Sequence, residues 1–361
     1  MPTALIAAAG TGGHVFPALA VAERLIEQGW QVAWLGTEEG RLESRVVPAA
    51  GIELHKITMT GVRGHGLARM VKAPWILTQA VRQCRQLLGT IKPDVVITFG
   101  GYVCAPLGIA ARLKKLPLLV HEQNAVPGLT TRLLAPFANI VMLGLPLVKK
   151  PIKKAQLTGN PLRKEVLKLA AECQQHAQTE PTVNLLVVGG SLGAKVLNDT
   201  VPEALAQLDQ AVRVMHQAGE GNRQQVENAY QVCTQHQVKV VEFIDQMGAA
   251  YQQADLVICR AGALTVSELA VLGKPAIFVP LPHAVDDHQT ANASAMVTAG
   301  GAVLMPQQEL TAERLAKQLQ SLLQEPEQLW KMARFARQCG SPEATDTVTQ
   351  ICINAVQQKA A

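Results

Sequence analysis

The stretch Ala4-Leu5-Ile6-Ala7-Ala8-Ala9-Gly10-Thr11-Gly12-Gly13-His14 lies at the start of the chain. Its apolar run predicts a buried strand, and the glycines after it predict a turn into the helical pattern that follows. The same arrangement recurs where Val183-Asn184-Leu185-Leu186-Val187-Val188 leads into Gly189-Gly190-Ser191-Leu192-Gly193. Such a turn lets backbone N–H groups and a helix N-terminus face an anionic ligand. Two of them predict two nucleotide-fold domains that face each other across a cleft.

The size and composition agree with a two-domain α/β protein. The chain has 361 residues, which exceeds the usual size of a single core. Apolar residues make up 48% and charged residues 17%. The seven cysteines form no CxxC pair, which predicts reduced, mostly buried thiols. No basic region precedes the first strand, so no signal peptide is expected.

Positive charge is concentrated in the first half. Residues 1–160 carry 18 Lys and Arg against eight Asp and Glu, whereas residues 161–361 carry 15 against 20. No acidic residue occurs between Glu53 and Asp94, and apolar residues are interleaved with the bases there. This pattern favours an anionic membrane surface as partner, through Arg69, Met70, Lys72, Trp75 and Ile76. The alternatives are a solvated helix face and nucleic acid, which the 4% of aromatic residues disfavours.

Strands and helices alternate along both halves, which predicts a doubly wound parallel sheet in each. We place the first domain at 1–160 and the second at 161–340, with a hinge formed by the basic, Pro-containing stretch 149–154 and the residues up to Pro161. Pro17 is expected at a first helical position and Gly29 at a helix C-terminus. A final helix, 341–358, with Ser341 as N-cap, is expected to return to the first domain. The uncharged stretch 95–111 is too short and too interrupted for a membrane span.

His14 is the unusual residue of the first turn. The dinucleotide fingerprint would need glycine where Val15 stands, so a nicotinamide enzyme is disfavoured. A histidine at the carboxyl end of a parallel strand suits a general base. The alternative is a histidine that packs against the following helix.

Three further stretches carry polar residues after predicted strands. Thr265 and Glu268 fit either a capping box or a site for diphosphate and ribose. The cluster at 286–289, with Asn292, suits contacts to a sugar better than a metal, because such close ligands rarely all reach one ion. The stretch 121–124 ends a buried strand with four polar residues, which favours a ligand-facing strand end. The sequence contains no P-loop, nucleophile elbow or Asp-x-Asp motif.

Together these motifs resemble the MurG-type transferases of glycosyltransferase family 28, which add N-acetylglucosamine to undecaprenyl-diphosphate-linked muramyl-pentapeptide (lipid I). The matching stretches occur in the family's order and cover nearly the whole chain, although Ala9 stands where many members have glycine. They are residues 10–17, 100–102, 121–124, 159–163, 189–194, 259–268 and 287–292. The resemblance implies a GT-B fold of two Rossmann-like domains. It implies an inverting, metal-independent transfer from UDP-GlcNAc that forms the β-1,4-linked disaccharide lipid II, without a cofactor.

The resemblance also implies roles for individual residues. Thr11, Gly12, Gly13 and His14 would face the acceptor diphosphate and the reacting centre, with His14 as candidate base. Asn124 and Arg163 would act in catalysis and binding, with Asn124 at the sugar and Arg163 near the donor diphosphate. The remaining donor contacts would be Ser191, Ile244, Ala263, Leu264, Thr265, Val266, Ser267, Glu268, Asn292 and either His288 or Gln289.

The implied location is peripheral, on the cytoplasmic face of the bacterial inner membrane, with UDP-GlcNAc, lipid I and anionic lipid as partners and no nucleic acid. Two rival functions remain open from the sequence. One is a related transferase acting on another lipid, such as diacylglycerol. The other is a non-catalytic protein that binds a sugar nucleotide or a lipid diphosphate.

Overall fold

The computed structural model describes residues 1–59, 67–172, 182–190, 192–282 and 285–360, without the side chains of 67–73, 285, 326, 359 and 360. The chain forms two compact units. Unit 1 comprises Met1–Arg163 and Glu343–Ala361, and unit 2 comprises Lys164–Pro342. The division after Arg163 lies three residues beyond the boundary expected from the sequence.

Unit 1 is built on a seven-stranded parallel sheet in the order β3-β2-β1-β4-β5-β6-β7. The strands are β1 Thr3–Ala7, β2 Gln31–Thr37, β3 Glu53–Ile57, β4 Val95–Thr98, β5 Leu118–Glu122, β6 Ile140–Leu143 and β7 Ala155–Leu157. The strand order reverses between β1 and β4, which pair from Ala4 with Val95 onward. Ligands bind at such a switch point, beyond the carboxyl ends of the strands.

Helices cover both faces of this sheet. They are α1 Gly12–Glu27, α2 Arg41–Ala49, α3 Leu67–Ile91, α4 Cys104–Leu113, α5 Leu129–Leu134 and the C-terminal α14 Ala344–Ala360. One face packs on α3, α4 and α5 through side chains such as Ala80, Leu107 and Leu134. The other packs on α1 and α14 through Val21 and Val348.

Unit 2 has a six-stranded parallel sheet in the order β10-β9-β8-β11-β12-β13. The strands are β8 Asn184–Val188, β9 Arg213–Gln217, β10 Gln237–Val241, β11 Leu256–Cys259, β12 Ala276–Phe278 and β13 Ala302–Leu304. The helices are α6 Lys164–Glu172, α7 Lys195–Leu205, α8 Arg223–Ala229, α9 Met247–Gln253, α10 Ala263–Leu272, α11 His288–Thr298, α12 Ala312–Gln324 and α13 Pro326–Gln338. Its switch point lies between β8 and β11.

The doubly wound α/β organisation of both halves is confirmed, and three details of the expected elements are wrong. Pro17 lies inside α1, which begins five residues earlier at Gly12. The last helix begins at Ala344, so Ser341 is not its N-cap. The segment expected to be only a hinge contains the short edge strand β7 and belongs to unit 1. Gly29, by contrast, follows α1 with φ of 80°, as its role at the helix end requires.

Among the described helices, none is both long and apolar enough to cross a membrane. Six of the seven cysteines lie in the described part of the chain and are free thiols. Burial raises the pKa of Cys84, Cys104 and Cys352 to about 12.

Candidate functional site

The first glycine-rich turn joins β1 to α1 at the switch point of unit 1. Thr11 has extended backbone angles and is the N-cap of α1, so Gly12, Gly13 and His14 are its first three residues. The backbone N of His14 donates to the carbonyl of Thr11 at 3.1 Å. The N–H groups of Gly12 and Gly13 precede it in the first turn, where N–H groups can face an approaching anion. His14 is half-buried beside them.

The turn after β4 lies against this one. Gly100 has φ of 106°, and a Cβ atom there would be 2.6 Å from Nδ1 of His14. Gly101 has φ of 90°, and a Cβ atom there would be 2.6 Å from the carbonyl oxygen of Ala9. Only glycine fits both the backbone angles and the space at these positions. Gly100 thereby leaves room for the imidazole of His14, and Gly101 allows the close approach of the Ala9 backbone.

The end of β5 holds a chain of polar groups that reaches His14. Nδ1 of His14 lies 2.9 Å from Oε1 of Gln123. Nε2 of Gln123 lies 3.1 Å from Nδ1 of His121, whose Nε2 lies 3.1 Å from the carbonyl oxygen of Gly159. His121 is fully buried and stacks on Phe99, with ring centroids 5.3 Å apart. Burial lowers the pKa of His121 to about 4.

Glu122 fixes the backbone that follows β5. One of its carboxylate oxygens accepts hydrogen bonds from the backbone N and Nδ2 of Asn124, at 3.1 and 3.2 Å. The other accepts from the backbone N of Gly128 and from Oγ1 of Thr131, at 2.9 and 2.6 Å. Asn124 is thereby held half-buried just beyond the strand end.

Arg163 lies in unit 1, although the sequence-based boundary assigned it to the second domain. Its guanidinium carbon is 5.3 Å from the ring centroid of Phe16, which is a cation–π contact with α1. The role of Arg163 at a donor diphosphate stays a prediction.

The second glycine-rich turn follows β8 at the switch point of unit 2. Ser191 lies outside the described residues, and Gly190 is held by Gln217 at the end of β9. The backbone N of Gly190 donates to Oε1 of Gln217 at 3.0 Å, and Nε2 of Gln217 donates to the carbonyls of Gly190 and Glu242 at 2.9 and 2.8 Å. A Cβ atom at Gly193 would lie 2.0 Å from the carbonyl oxygen of Ala218, so this turn also needs glycine.

Helix α10 begins at the adjoining strand end, after β11. Its N-cap is Gly262, so Thr265 is the third helical residue and the capping-box alternative for Thr265 is wrong. The residues of this helix start are Ala263, Leu264, Thr265 and Val266, and Ser267 and Glu268 follow, both buried. Arg260 precedes the helix and donates to the carbonyls of Val279 and Pro280, which fixes the loop after β12.

Helix α11 brings its N-terminal residues to the same edge of unit 2. His288 begins the helix, and Oε1 of Gln289 accepts from the backbone N of Leu281 at 2.9 Å. Asn292 is buried, and its Nδ2 donates to the carbonyl of Ala261 at 3.1 Å, so it supports the start of α10. Within the described ranges, no group of three or more His, Cys, Asp or Glu side chains could hold a metal ion.

The remaining predicted residues are distributed over both units. Ile244 follows β10 and is half-buried, next to Phe243, which is 61% exposed. Trp75 of α3 is 62% exposed and Ile76 is half-buried. The side chains of Arg69, Met70 and Lys72 lie outside the described residues. The binding and catalytic roles assigned to these positions stay predictions.

Sequence reasoning gave no role to Gly100, His121, Gln123 or Gln217. For the first three, the signal was present, since they lie in the short polar or glycine-rich stretches that follow β4 and β5. Gln217 had no such signal, because a single amide after an apolar strand reads as a surface residue.

Comparison with known proteins identifies the family and the fold of the chain. The N-terminal domain of glycosyltransferase family 28 matches residues 4–143, and the C-terminal domain of that family matches residues 184–348. The chain belongs to glycosyltransferase family 28. Its GT-B fold class is confirmed, since the crystal structure of Acinetobacter baumannii MurG superposes with a TM-score of 0.84 at 40% identity, over 98% of this chain and 100% of that one.

Individual family 28 proteins are similar along nearly their whole length. A protein of Idiomarina loihiensis named UDP-N-acetylglucosamine--N-acetylmuramyl-(pentapeptide) pyrophosphoryl-undecaprenol N-acetylglucosamine transferase is 58% identical over 355 residues, covering 98% of each chain. A protein of the same name from Alkalilimnicola ehrlichii is 51% identical over 351 residues. A glycosyltransferase of kitacinnamycin, at 18% identity and a TM-score of 0.71, shares the fold alone.

Proposed function

We propose that this family 28 enzyme transfers N-acetylglucosamine from UDP-GlcNAc to undecaprenyl-diphosphate-linked N-acetylmuramyl-pentapeptide, the step that converts lipid I into lipid II in peptidoglycan synthesis. The observation that carries the proposal is the 58% identity to a transferase of that name over 98% of both chains. The half-buried His14 at a glycine-rich turn supports it chemically.

The reaction divides its tasks between the two units. In unit 2, the turn at Gly189–Gly193 and the start of α10 bind the diphosphate of the donor, Ile244 meets the uracil, and Glu268 binds the ribose. Gln289 and Asn292 of unit 2 recognise the sugar, as does Asn124 of unit 1. In unit 1, residues 11–13 bind the diphosphate of the lipid acceptor.

Transfer proceeds with inversion at the anomeric carbon of GlcNAc. The 4-hydroxyl oxygen of the muramyl residue forms the new C–O bond, and the bond from that carbon to UDP breaks. The bonding electron pair leaves with the β-phosphate oxygen, and the hydroxyl proton passes to His14. Helix N-termini and Arg163 stabilise the charge that develops on UDP, so the chemistry does not require a metal.

A product assay with two acceptors tests the proposal. Purified protein is incubated with radiolabelled UDP-GlcNAc and either a lipid I analogue or diacylglycerol, with and without EDTA. We expect a lipid-linked disaccharide from the lipid I analogue at the same rate in EDTA. Product from diacylglycerol alone, or donor binding without turnover, would support a rival function, and loss of turnover in EDTA would contradict the metal-free route.

The helical layer α3–α5 of unit 1 supports a peripheral position on an anionic membrane. Its exposed apolar side chains are Trp75, Leu113, Leu129, Leu133 and Phe137. Arg112, Lys114 and Lys115 are exposed beside them. The only acidic residue between Asp94 and Glu165 is Glu122, which is buried, so this surface is basic and apolar. We place the enzyme on the cytoplasmic face of the inner membrane, where UDP-GlcNAc is available.

Vesicle binding tests the membrane surface. Arg69→Glu with Lys72→Glu is expected to weaken co-sedimentation with vesicles that contain anionic lipid. The matched control, Lys317→Glu with Lys331→Glu, makes the same charge change in unit 2 and is expected to bind as the unchanged protein does. Equal binding of all three proteins would contradict this surface.

A further inference from the structure

The hydrogen-bond chain from Gly159 to His14 has a direction. Its four groups are the Gly159 carbonyl, the His121 imidazole, the Gln123 amide and the His14 imidazole, joined by contacts of 3.1, 3.1 and 2.9 Å. A carbonyl oxygen can only accept a hydrogen bond, so one end of the chain is fixed. The position of each proton then follows from its neighbour.

The Gly159 carbonyl determines the tautomer of His121. His121 is neutral near pH 7, because burial lowers its pKa to about 4, and it therefore carries one ring proton. That proton is on Nε2, which donates to the Gly159 carbonyl. Nδ1 of His121 is consequently an acceptor.

The orientation of the Gln123 amide follows from His121. Its NH₂ group faces Nδ1 of His121 and also donates to the carbonyl of His121 at 3.2 Å. A flipped amide would put its oxygen against both of these acceptors. Oε1 of Gln123 therefore faces His14 and can only accept.

We propose that Gln123 and His121 are positioning residues that hold His14 as the Nδ1–H tautomer, with the lone pair of Nε2 directed to the acceptor hydroxyl. Nδ1–H donates to Gln123, and Nε2 has no hydrogen-bond partner within the described part of the chain. The inference rests on the proposed role of His14 as base. In the transfer, the hydroxyl proton moves to Nε2, the Nδ1 proton stays in place, and no proton passes through Gln123.

Nitrogen-15 NMR of the ring-labelled protein tests the tautomer without an activity assay. The two ring nitrogens of a neutral histidine have different shifts, depending on which one carries the proton. His14 is assigned among the nine histidines by comparison with His14→Gln. We expect the proton of His14 on Nδ1. A proton on Nε2, or a mixture of both tautomers, would overturn the inference.

Two substitutions at Gln123 separate tautomer control from packing. Gln123→Met keeps the size but removes the acceptor, and we expect a mixed His14 tautomer and a fall in kcat of about tenfold, with the donor KM unchanged. Gln123→Glu keeps an acceptor beside Nδ1 of His14, and its second oxygen, which faces Nδ1 and the carbonyl of His121, must carry the carboxyl proton to donate as the amide does. In that protonated form we expect it to retain the Nδ1–H tautomer and more of kcat than Gln123→Met. If Gln123→Glu is as impaired as Gln123→Met, or if both keep full kcat, the positioning role is contradicted.

Gln217→Met is the matched control. It removes an equally buried amide that holds the turn at Gly190 in unit 2. We expect it to leave the His14 tautomer unchanged and to raise the donor KM.

Kinetics of His14→Gln together with NMR distinguish a wrong positioning role for Gln123 and His121 from a wrong base role for His14. If His14→Gln keeps kcat, the base role itself is wrong, whichever tautomer NMR finds. If His14→Gln abolishes turnover while NMR finds the proton on Nε2, the base role stands and the positioning role falls.

Discussion

Single residues at the carboxyl ends of β4 and β5 fix the local backbone through several contacts each. Glu122 uses both carboxylate oxygens on four donors from Asn124, Gly128 and Thr131. Hydrogen bonds to a buried carboxylate are stronger than neutral ones, so they fix the geometry of the strand end. Gly100 determines where the imidazole of His14 can lie. Because glycine has no side chain, the imidazole occupies the space where a Cβ atom would be.

Gly100→Ala is therefore expected to displace His14 and lower kcat by tenfold or more, because the added Cβ would lie 2.6 Å from Nδ1. Gly51→Ala is the matched control, with a comparable φ of 73° and nothing within 4 Å of its added Cβ. It carries the backbone strain alone, about 1 kcal/mol in the free energy of unfolding, and should keep full kcat. Thermal unfolding and steady-state kinetics of both variants check this. Equal activities would show that the close approach to His14 has no consequence.

At the scale of elements, hydrophobic periodicity predicted the strands well, because strands buried on both faces are nearly continuous apolar runs. Helix starts were harder to predict. Proline is favoured at a first helical position, but α1 begins at Gly12, with Thr11 as N-cap, and includes Pro17 in its second turn. Ser341 is not the N-cap of α14, whose first turn is instead held by hydrogen bonds between Thr345 and the backbone of Leu162. The His14–Gln123–His121 chain was not predictable, since it joins residues 109 positions apart.

Helix α14 packs into the core of unit 1, so a substitution on its buried face is expected to destabilise the protein. Val348 is fully buried against α1 and the sheet. Val348→Ala is expected to lower the free energy of unfolding by about 2 kcal/mol, through lost apolar burial and the cavity left behind. The control, Gln350→Ala, removes an exposed side chain of the same helix and should change it by less than about 0.5 kcal/mol. Urea unfolding measures both. Equal stability of the two variants would contradict the packing of α14 on unit 1.

For the whole molecule, each unit contains a histidine whose side chain has no exposed surface. His121 lies in unit 1, and His216 in unit 2 contacts Tyr230 and Asn198. Burial lowers the pKa of each to about 4. The unfolded chain binds a proton at each near pH 6.5, so their contribution to stability is complete above that pH and is lost as the pH falls toward 4.

We expect each histidine to lower the free energy of unfolding by about 2 kcal/mol between pH 7 and pH 5. Urea unfolding at the two pH values measures the loss. Stability that is unchanged over this range would mean that the two imidazoles are already charged, or are solvated, in the folded protein.

The central claim is that unit 1 supplies the base and unit 2 binds the donor nucleotide. Steady-state kinetics of His14→Ala and Glu268→Ala, with UDP-GlcNAc and a lipid I analogue, test it most directly. The account predicts that His14→Ala lowers kcat by about 10²- to 10⁴-fold with little change in donor KM, as removal of a general base does. It predicts that Glu268→Ala mainly raises the donor KM. An unchanged kcat in His14→Ala would contradict the account.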